Sequence, residues 1–131
     1  MKKKTCLFLL IIVVILCTLF VRQWRIEDAR HNRPILWFEA YNASETIYVD
    51  AIRYQAYFFG PSKVEFLIDS KLMYQTEIFN DGGTLTEEHF SLLWSGDDKL
   101  DVVLKGREQH DEHIEFRFED GQVWVNGLLV E

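Results

Sequence analysis

The chain has 131 residues, with 14 Lys plus Arg against 21 Asp plus Glu, a net charge of −7 and 48% hydrophobic residues. The charge is divided: from Ile35 onward 7 Lys plus Arg face 19 Asp plus Glu, a net of −12, while the residues before it are basic. So acidic a segment repels nucleic-acid phosphates and anionic surfaces, which excludes nucleic acid as a partner, and its length suffices for one small domain.

The first predicted element is a transmembrane helix over residues 5–21, behind a basic tail at residues 1–4 that holds Lys2, Lys3 and Lys4. Its uncharged run spans roughly 25 Å as a helix, at the lower limit for crossing a bilayer's hydrocarbon core. A cleaved secretory signal needs small residues in an A-x-A-like arrangement. The run ends instead on Ile15-Leu16-Cys17-Thr18-Leu19-Phe20-Val21, so an uncleaved signal-anchor is expected. Lipidation at Cys17 would need a small residue before it, where Leu16 stands; Cys6 and Cys17 read as soft apolar residues facing lipid or another helix. Positive charge stands on both flanks. The tight cluster of Lys2, Lys3 and Lys4 favours a cytoplasmic N-terminus and an extracytoplasmic C-terminal domain.

Residues 22–34 lack Gly and have a Pro only at the end, so the helix is expected to continue two or three turns past the lipid as a spacer. Trp24 suits the interface, Arg22 and Arg25 suit lipid phosphates, and Glu27 stands at helical spacing from Arg30 and His31. Pro34 pushes its predecessor out of helical geometry and ends the element.

Residues 35–131 read as one mainly β domain, an antiparallel sandwich or barrel. Val64, Phe66 and Ile68 alternate with charged residues, as do Leu100, Val102 and Leu104, and Ile114, Phe116 and Phe118. Asp120-Gly121 and Asn126-Gly127 are tight-hairpin pairs, and Leu72 to Phe79 is expected to pair back across Ser70-Lys71. Ser44 to Phe59 admits a helix capped by Ser44; its Ile, Val and Tyr content favours one long, bulged strand. Thr86 to Phe90 resembles a helix start, whereas Phe90, Leu92 and Trp94 alternate as a strand.

Chemistry-bearing patterns are few. His110, Asp111, Glu112 and His113 form the one run with metal-ligand character, and a loop would have to wrap them around an ion, because on a strand positions 110 and 113 face opposite ways. The simpler reading is a solvated hairpin tip. Asn80-Asp81-Gly82-Gly83 lacks the alternating oxygens and closing Glu of a calcium loop and reads as a turn. No serine sits in a G-x-S-x-G elbow, the domain has no cysteine, and its carboxylate pairs stand at turns. Neither a catalytic set, a cofactor nor a small-molecule substrate is expected. Asn42-Ala43-Ser44 matches a glycosylation sequon of low specificity. The aromatics are more numerous than two strands need to fill a core, which points either to packing on the membrane-proximal helix or to a protein-binding patch among Trp37, Tyr41, Tyr48, Tyr54 and Tyr57.

"LLWSGDDKLDVVLKG" and the closing "FEDGQVWVNGLLVE", within Phe90 to Glu131, follow a W…DD…V pattern and a V-x-V/I-N-G-x-x-L finish. With the basic start and uncleaved span, they resemble small membrane-tethered bacterial proteins of unknown function. The resemblance implies a bacterial envelope protein and brings no catalytic residues. The expected role is interaction or assembly with another membrane or envelope protein, the helix holding lipid through residues 5–21. A metal-binding protein or metal-dependent enzyme using His110 and His113 is the alternative, and a membrane-tethered immunity or inhibitor protein is a special case of binding.

Overall fold

The computed structural model describes residues 2–31, 33–55 and 60–130 and divides into two compact units, residues 1–32 and 33–131. The first unit is one helix, α1, Lys2–His31. At about 1.5 Å per residue it is roughly 45 Å long, longer than a hydrocarbon core of about 30 Å. The helix is long and apolar enough to cross a membrane: its most apolar 18-residue stretch has a mean hydropathy of 2.6, and none of that stretch is buried inside the protein. The apolar core of a secretory signal meets the same two criteria.

Within α1 several polar side chains find a partner one turn away. The Thr18 hydroxyl donates to the Val14 carbonyl at 2.8 Å, which removes the one hydroxyl of the described apolar stretch from competition for water. Past Val21 the helix continues, as expected, on side-chain pairs one turn apart: Gln23 Nε2 donates to Glu27 at 3.2 Å, and Glu27 lies 3.6 Å from His31 Nε2. Trp24 is exposed and meets Phe20 edge-on at 6.1 Å.

The second unit is a sandwich of two antiparallel sheets, which decides between sandwich and barrel. The first sheet contains β1 (Ile35–Tyr41), β2 (Tyr48–Arg53), β3 (Ser62–Ile68) and β4 (Lys71–Ile78), in that order. The second contains β5 (Phe90–Ser95), β6 (Lys99–Leu104), β7 (Glu112–Glu119), β8 (Gln122–Val125) and β9 (Leu128–Leu129). Every pairing among the described residues joins strands adjacent in sequence.

Alternation decides which face is buried. Val64, Phe66 and Ile68 of β3 turn inward, as do Leu100, Val102 and Leu104 of β6 and Ile114 and Phe116 of β7. Phe66 and Phe116, both fully buried, meet at 5.4 Å between ring centroids and join the two sheets near their middles. Each such burial stabilises by roughly 1.5–3 kcal/mol, and the ring pair adds about 1 kcal/mol. Phe38 of β1 lies 4.1 Å from Phe90 of β5, closing one side.

The up-and-down order gives the sandwich two different ends. One, the turn end, gathers the connections 42–47, 69–70, 95–98 and 120–121. Asp69-Ser70 and Asp120-Gly121 both have positive φ at the two central positions, as does Asn126-Gly127 beside the middle of β7, the signature of primed hairpin turns whose twist matches the strands. The opposite, crossing end is where the chain joins the domain at Ile35 and where residues 79–89 pass from one sheet to the other. That passage is held by the 105–111 loop: Gln109 accepts from the Phe79 amide at 2.8 Å, and a Cβ on Gly106 would stand 2.5 Å from the Phe79 carbonyl oxygen. Leu85 plugs the core beneath it, and Thr86 and His89 cap a single 3-10 turn, Glu87–His89, that leads into β5.

Two expectations need correction. Ser44 to Phe59 is not one long strand: β2 occupies only Tyr48–Arg53, residues 42–47 form a loop, and residues 56–59 lie outside the described residues. The physical reason is Asn42. Its buried side chain accepts from the amides of Thr46 and Ile47 at 2.9 and 3.0 Å and donates to Thr46 Oγ1 and the Asp97 carbonyl, so it organises the loop that a continuous strand would have erased. The 105–113 segment is also more than a solvated tip, because Gln109 clamps the crossing chain and Glu112 turns inward.

Candidate interaction surface

The four residues with metal-ligand character are dispersed. His113 stands on β7 opposite Val103 of β6, exposed on the outer face of the second sheet, whereas Glu112 points inward and accepts from Tyr74 Oη at 3.0 Å and Thr76 Oγ1 at 2.7 Å on β4. Burial, followed by the hydrogen bond to Glu112, raises the Tyr74 phenol above its usual range. His110 and Asp111 are exposed in the loop. Among the described residues, no three His, Cys, Asp or Glu side chains are placed to hold a metal ion.

The aromatic candidates separate into three environments. Trp37 is half-buried against Phe38 and Phe90, at 5.2 and 4.9 Å, and belongs to the packing between the sheets. Tyr41 and Tyr48 stack on one another at 5.6 Å on the outer face of the first sheet. On the same face Tyr54 donates to Glu65 at 2.9 Å beneath the Lys63 ammonium, which sits 3.8 Å from its ring and 2.7 Å from Glu65. Burial pushes the Glu65 carboxyl up, but hydrogen bonds from Lys63 and Tyr54 outweigh it and hold the group below its usual value. Tyr57 lies outside the described residues. On α1, Arg22 and Arg25 are exposed along one face with Thr18, Val21 and Ile26; Lys2, Lys3 and Lys4 form its first turn.

Beside the tyrosine stack, the register sets Glu39 of β1 directly across from Asp50 of β2. Like charges in that position repel, and each opposed pair of this kind shifts stability by roughly 0.2–1 kcal/mol. Burial, and then the charge of Glu39, raise the Asp50 carboxyl above its ordinary value of 3.8. Its Oδ1 is buried with no hydrogen-bond partner, and no cation pairs with either carboxylate among the described residues. The contact made to Glu39 is the Tyr41 hydroxyl at 3.2 Å, which raises the phenol's own pKa through that hydrogen bond. Two stacked phenol rings next to two uncompensated carboxylates make a surface ready for a guanidinium or ammonium: charge on one side, an aromatic face on the other.

The tyrosines are candidates from the sequence alone; the two acids are not, because they stand eleven positions apart and meet only through the β1–β2 register. Asn42, a candidate only as part of a sequon, is 2% exposed with its amide nitrogen committed to Thr46 and Asp97, so it serves the fold. The chain matches no protein-family model, no curated protein and no solved structure.

Proposed function

We propose that this is a single-pass membrane protein whose helix is retained as a signal-anchor, with the N-terminus cytoplasmic, and whose acidic β-sandwich works by binding a basic protein partner in the cell envelope. It acts by association and not by catalysis. The observation that carries this reading is the opposed Glu39–Asp50 pair beside the Tyr41–Tyr48 stack: the fold tolerates a repulsion that a single Lys or Arg would relieve, and a partner's cation supplies that relief on binding. An anchor strengthens the case, since confinement to a membrane raises the effective concentration of a weak partner without any new contact.

Two measurements test it. The intact mass of the mature protein from its native membranes is expected to include residues 5–21; a chain beginning after Cys17 removes the anchor from the proposal. For binding, a benzophenone side chain replacing the Tyr48 phenol is expected to crosslink the full-length protein to a neighbour in those membranes. Asp50→Asn and raised salt are each expected to reduce the adduct by several-fold. Adducts indifferent to both would remove the basic partner.

A further inference from the structure

We infer that the cleft at the turn end of the sandwich is the docking site for a partner segment that carries one apolar side chain between Lys or Arg residues. The inference rests on the binding reading above and adds where the segment seats and what chemistry it has. The cleft lies between the sheets, lined by Ile47 of the 42–47 loop and Ile68 of β3 on one side and by Phe118 and Val123 of the second sheet on the other, with Thr46 and Gln122 beside them. Ile68 and Val123 are 8% and 7% exposed, so the floor is the uncovered edge of the core itself. Its volume is about 260 Å³. That falls just below the roughly 300–1,000 Å³ typical of small-molecule sites and suits a single large side chain with the stem of a neighbour.

The rim decides which side chains. Glu45, Asp69, Asp97, Asp98 and Asp120 on the connections of this end, and Glu119 at the end of β7, are all exposed, beside Lys71 and Lys99. Lys99 is engaged on the strands, 3.4 Å from Asp101 and 2.9 Å from Glu115, so its charge is already matched. An apolar cleft with Asp69 in its lining, at an end of the domain that gathers five further exposed carboxylates, draws negative potential into the cleft. An anionic lipid, a nucleic acid and a second copy of this acidic domain are all disfavoured by the same field; a basic peptide is attracted by it.

The rim is also built in advance. The Asp97 carboxylate accepts from the Ser44 amide at 3.0 Å and its carbonyl accepts from Asn42, which ties the loop of one sheet to the turn of the other. Asp69 and Asp120 are fixed by primed turns. Less side-chain and loop ordering is left to be lost on association. Tyr48 joins the two regions in the chain: it contributes to the lining of the cleft, while its ring stacks on Tyr41 on the outer face that carries the Glu39–Asp50 pair.

The test uses the full-length protein in nanodiscs of zwitterionic lipid and a nitroxide-labelled peptide with one Leu flanked by Lys and Arg. The expected result is paramagnetic broadening of the amide signals of Ile47, Asp69, Gly121 and Val123. Affinity is expected to fall at least about fivefold in the Asp69→Asn/Asp120→Asn double variant, whose residues keep the turn geometry, and similarly when Ser replaces the peptide's Leu. Broadening confined to Glu39 and Asp50, with the cleft signals sharp, would overturn the cleft and leave the basic-partner reading standing. Equal binding of a Glu-flanked peptide, or none at about 1 mM, also overturns it; the crosslinking at Tyr48 then judges the broader reading separately.

Discussion

Both sheets set two carboxylates face to face on their outer surfaces, Glu39 across from Asp50 on the first and Asp101 across from Glu115 on the second. On the second sheet, positions two residues away on the same face hold cations. Lys99 reaches Asp101 and Glu115, and Arg117 lies 2.6 Å from Glu115, so hydrogen bonds from Lys99 and then Arg117 hold the Glu115 carboxyl below its usual value despite some burial. On the first sheet the corresponding neighbours are Tyr41 after Glu39, and Tyr48 and Ile52 around Asp50, and the Asp50 carboxyl is pushed up instead. This chain neutralises an opposed acid pair in one place and presents aromatic rings beside it in the other. Local rules are most often broken where function requires it, and the first sheet breaks one that the second keeps.

The comparison supposes that the sheets are two faces of one cooperative body, and Phe116→Ala tests that most severely. Loss of this fully buried ring is expected to cost about 3–5 kcal/mol and abolish a single thermal transition shared by far-ultraviolet dichroism and tryptophan fluorescence. Asn42→Ala is expected to cost about 2 kcal/mol in denaturant titration, through the lost loop and inter-sheet hydrogen bonds. Asp50→Asn is expected to do the reverse and stabilise the protein by about 0.5 kcal/mol, while Asp101→Asn, which removes a paired acid, brings no gain. Opposite signs at equivalent positions would sharpen the contrast; equal gains would dissolve it.

Acid provides a finer measure. Because the folded Asp50 carboxyl binds its proton more tightly than the unfolded one, its contribution to stability declines as pH rises from 3.8 through the raised value. The advantage of Asp50→Asn is therefore expected to be absent in strong acid and complete at neutral pH. Glu65 and Glu115, held low, contribute stability that is present above their ordinary values and lost as pH falls through their folded ones. The smallest effect is spectroscopic: Lys99→Ala is expected to move the Glu115 carboxyl titration upward in NMR, bringing the second pair toward the condition of the first.

How much was legible in the sequence depended on how local the cause was. β3, β6 and β7 announce themselves because one face of each is wet and the apolar residues alternate. The turns at Asp120-Gly121 and Asn126-Gly127 follow from the φ that their residues tolerate. β1 was harder: Ile35-Leu36-Trp37-Phe38 is continuously apolar, and a bulge between Leu36 and Phe38 breaks the period. The inward turn of Glu112 was hidden inside a polar run, since only the hydroxyls of Tyr74 and Thr76, on a strand of the other sheet, make it a good place for a carboxylate. Of the candidate surface, the tyrosines were visible by count. The acids beside them were not, because cross-strand opposition is a property of register and register is set by the whole sheet.

Among the described residues strands pair only with their neighbours in sequence, and this has a kinetic consequence. Each sheet can zip up from short hairpins, with little loop-closure entropy lost before contacts form, and the crossing at residues 79–89 need only bring two finished layers together. The four strands of the first layer all precede the second in the chain, so the first layer can close on itself without waiting for the residues of the second.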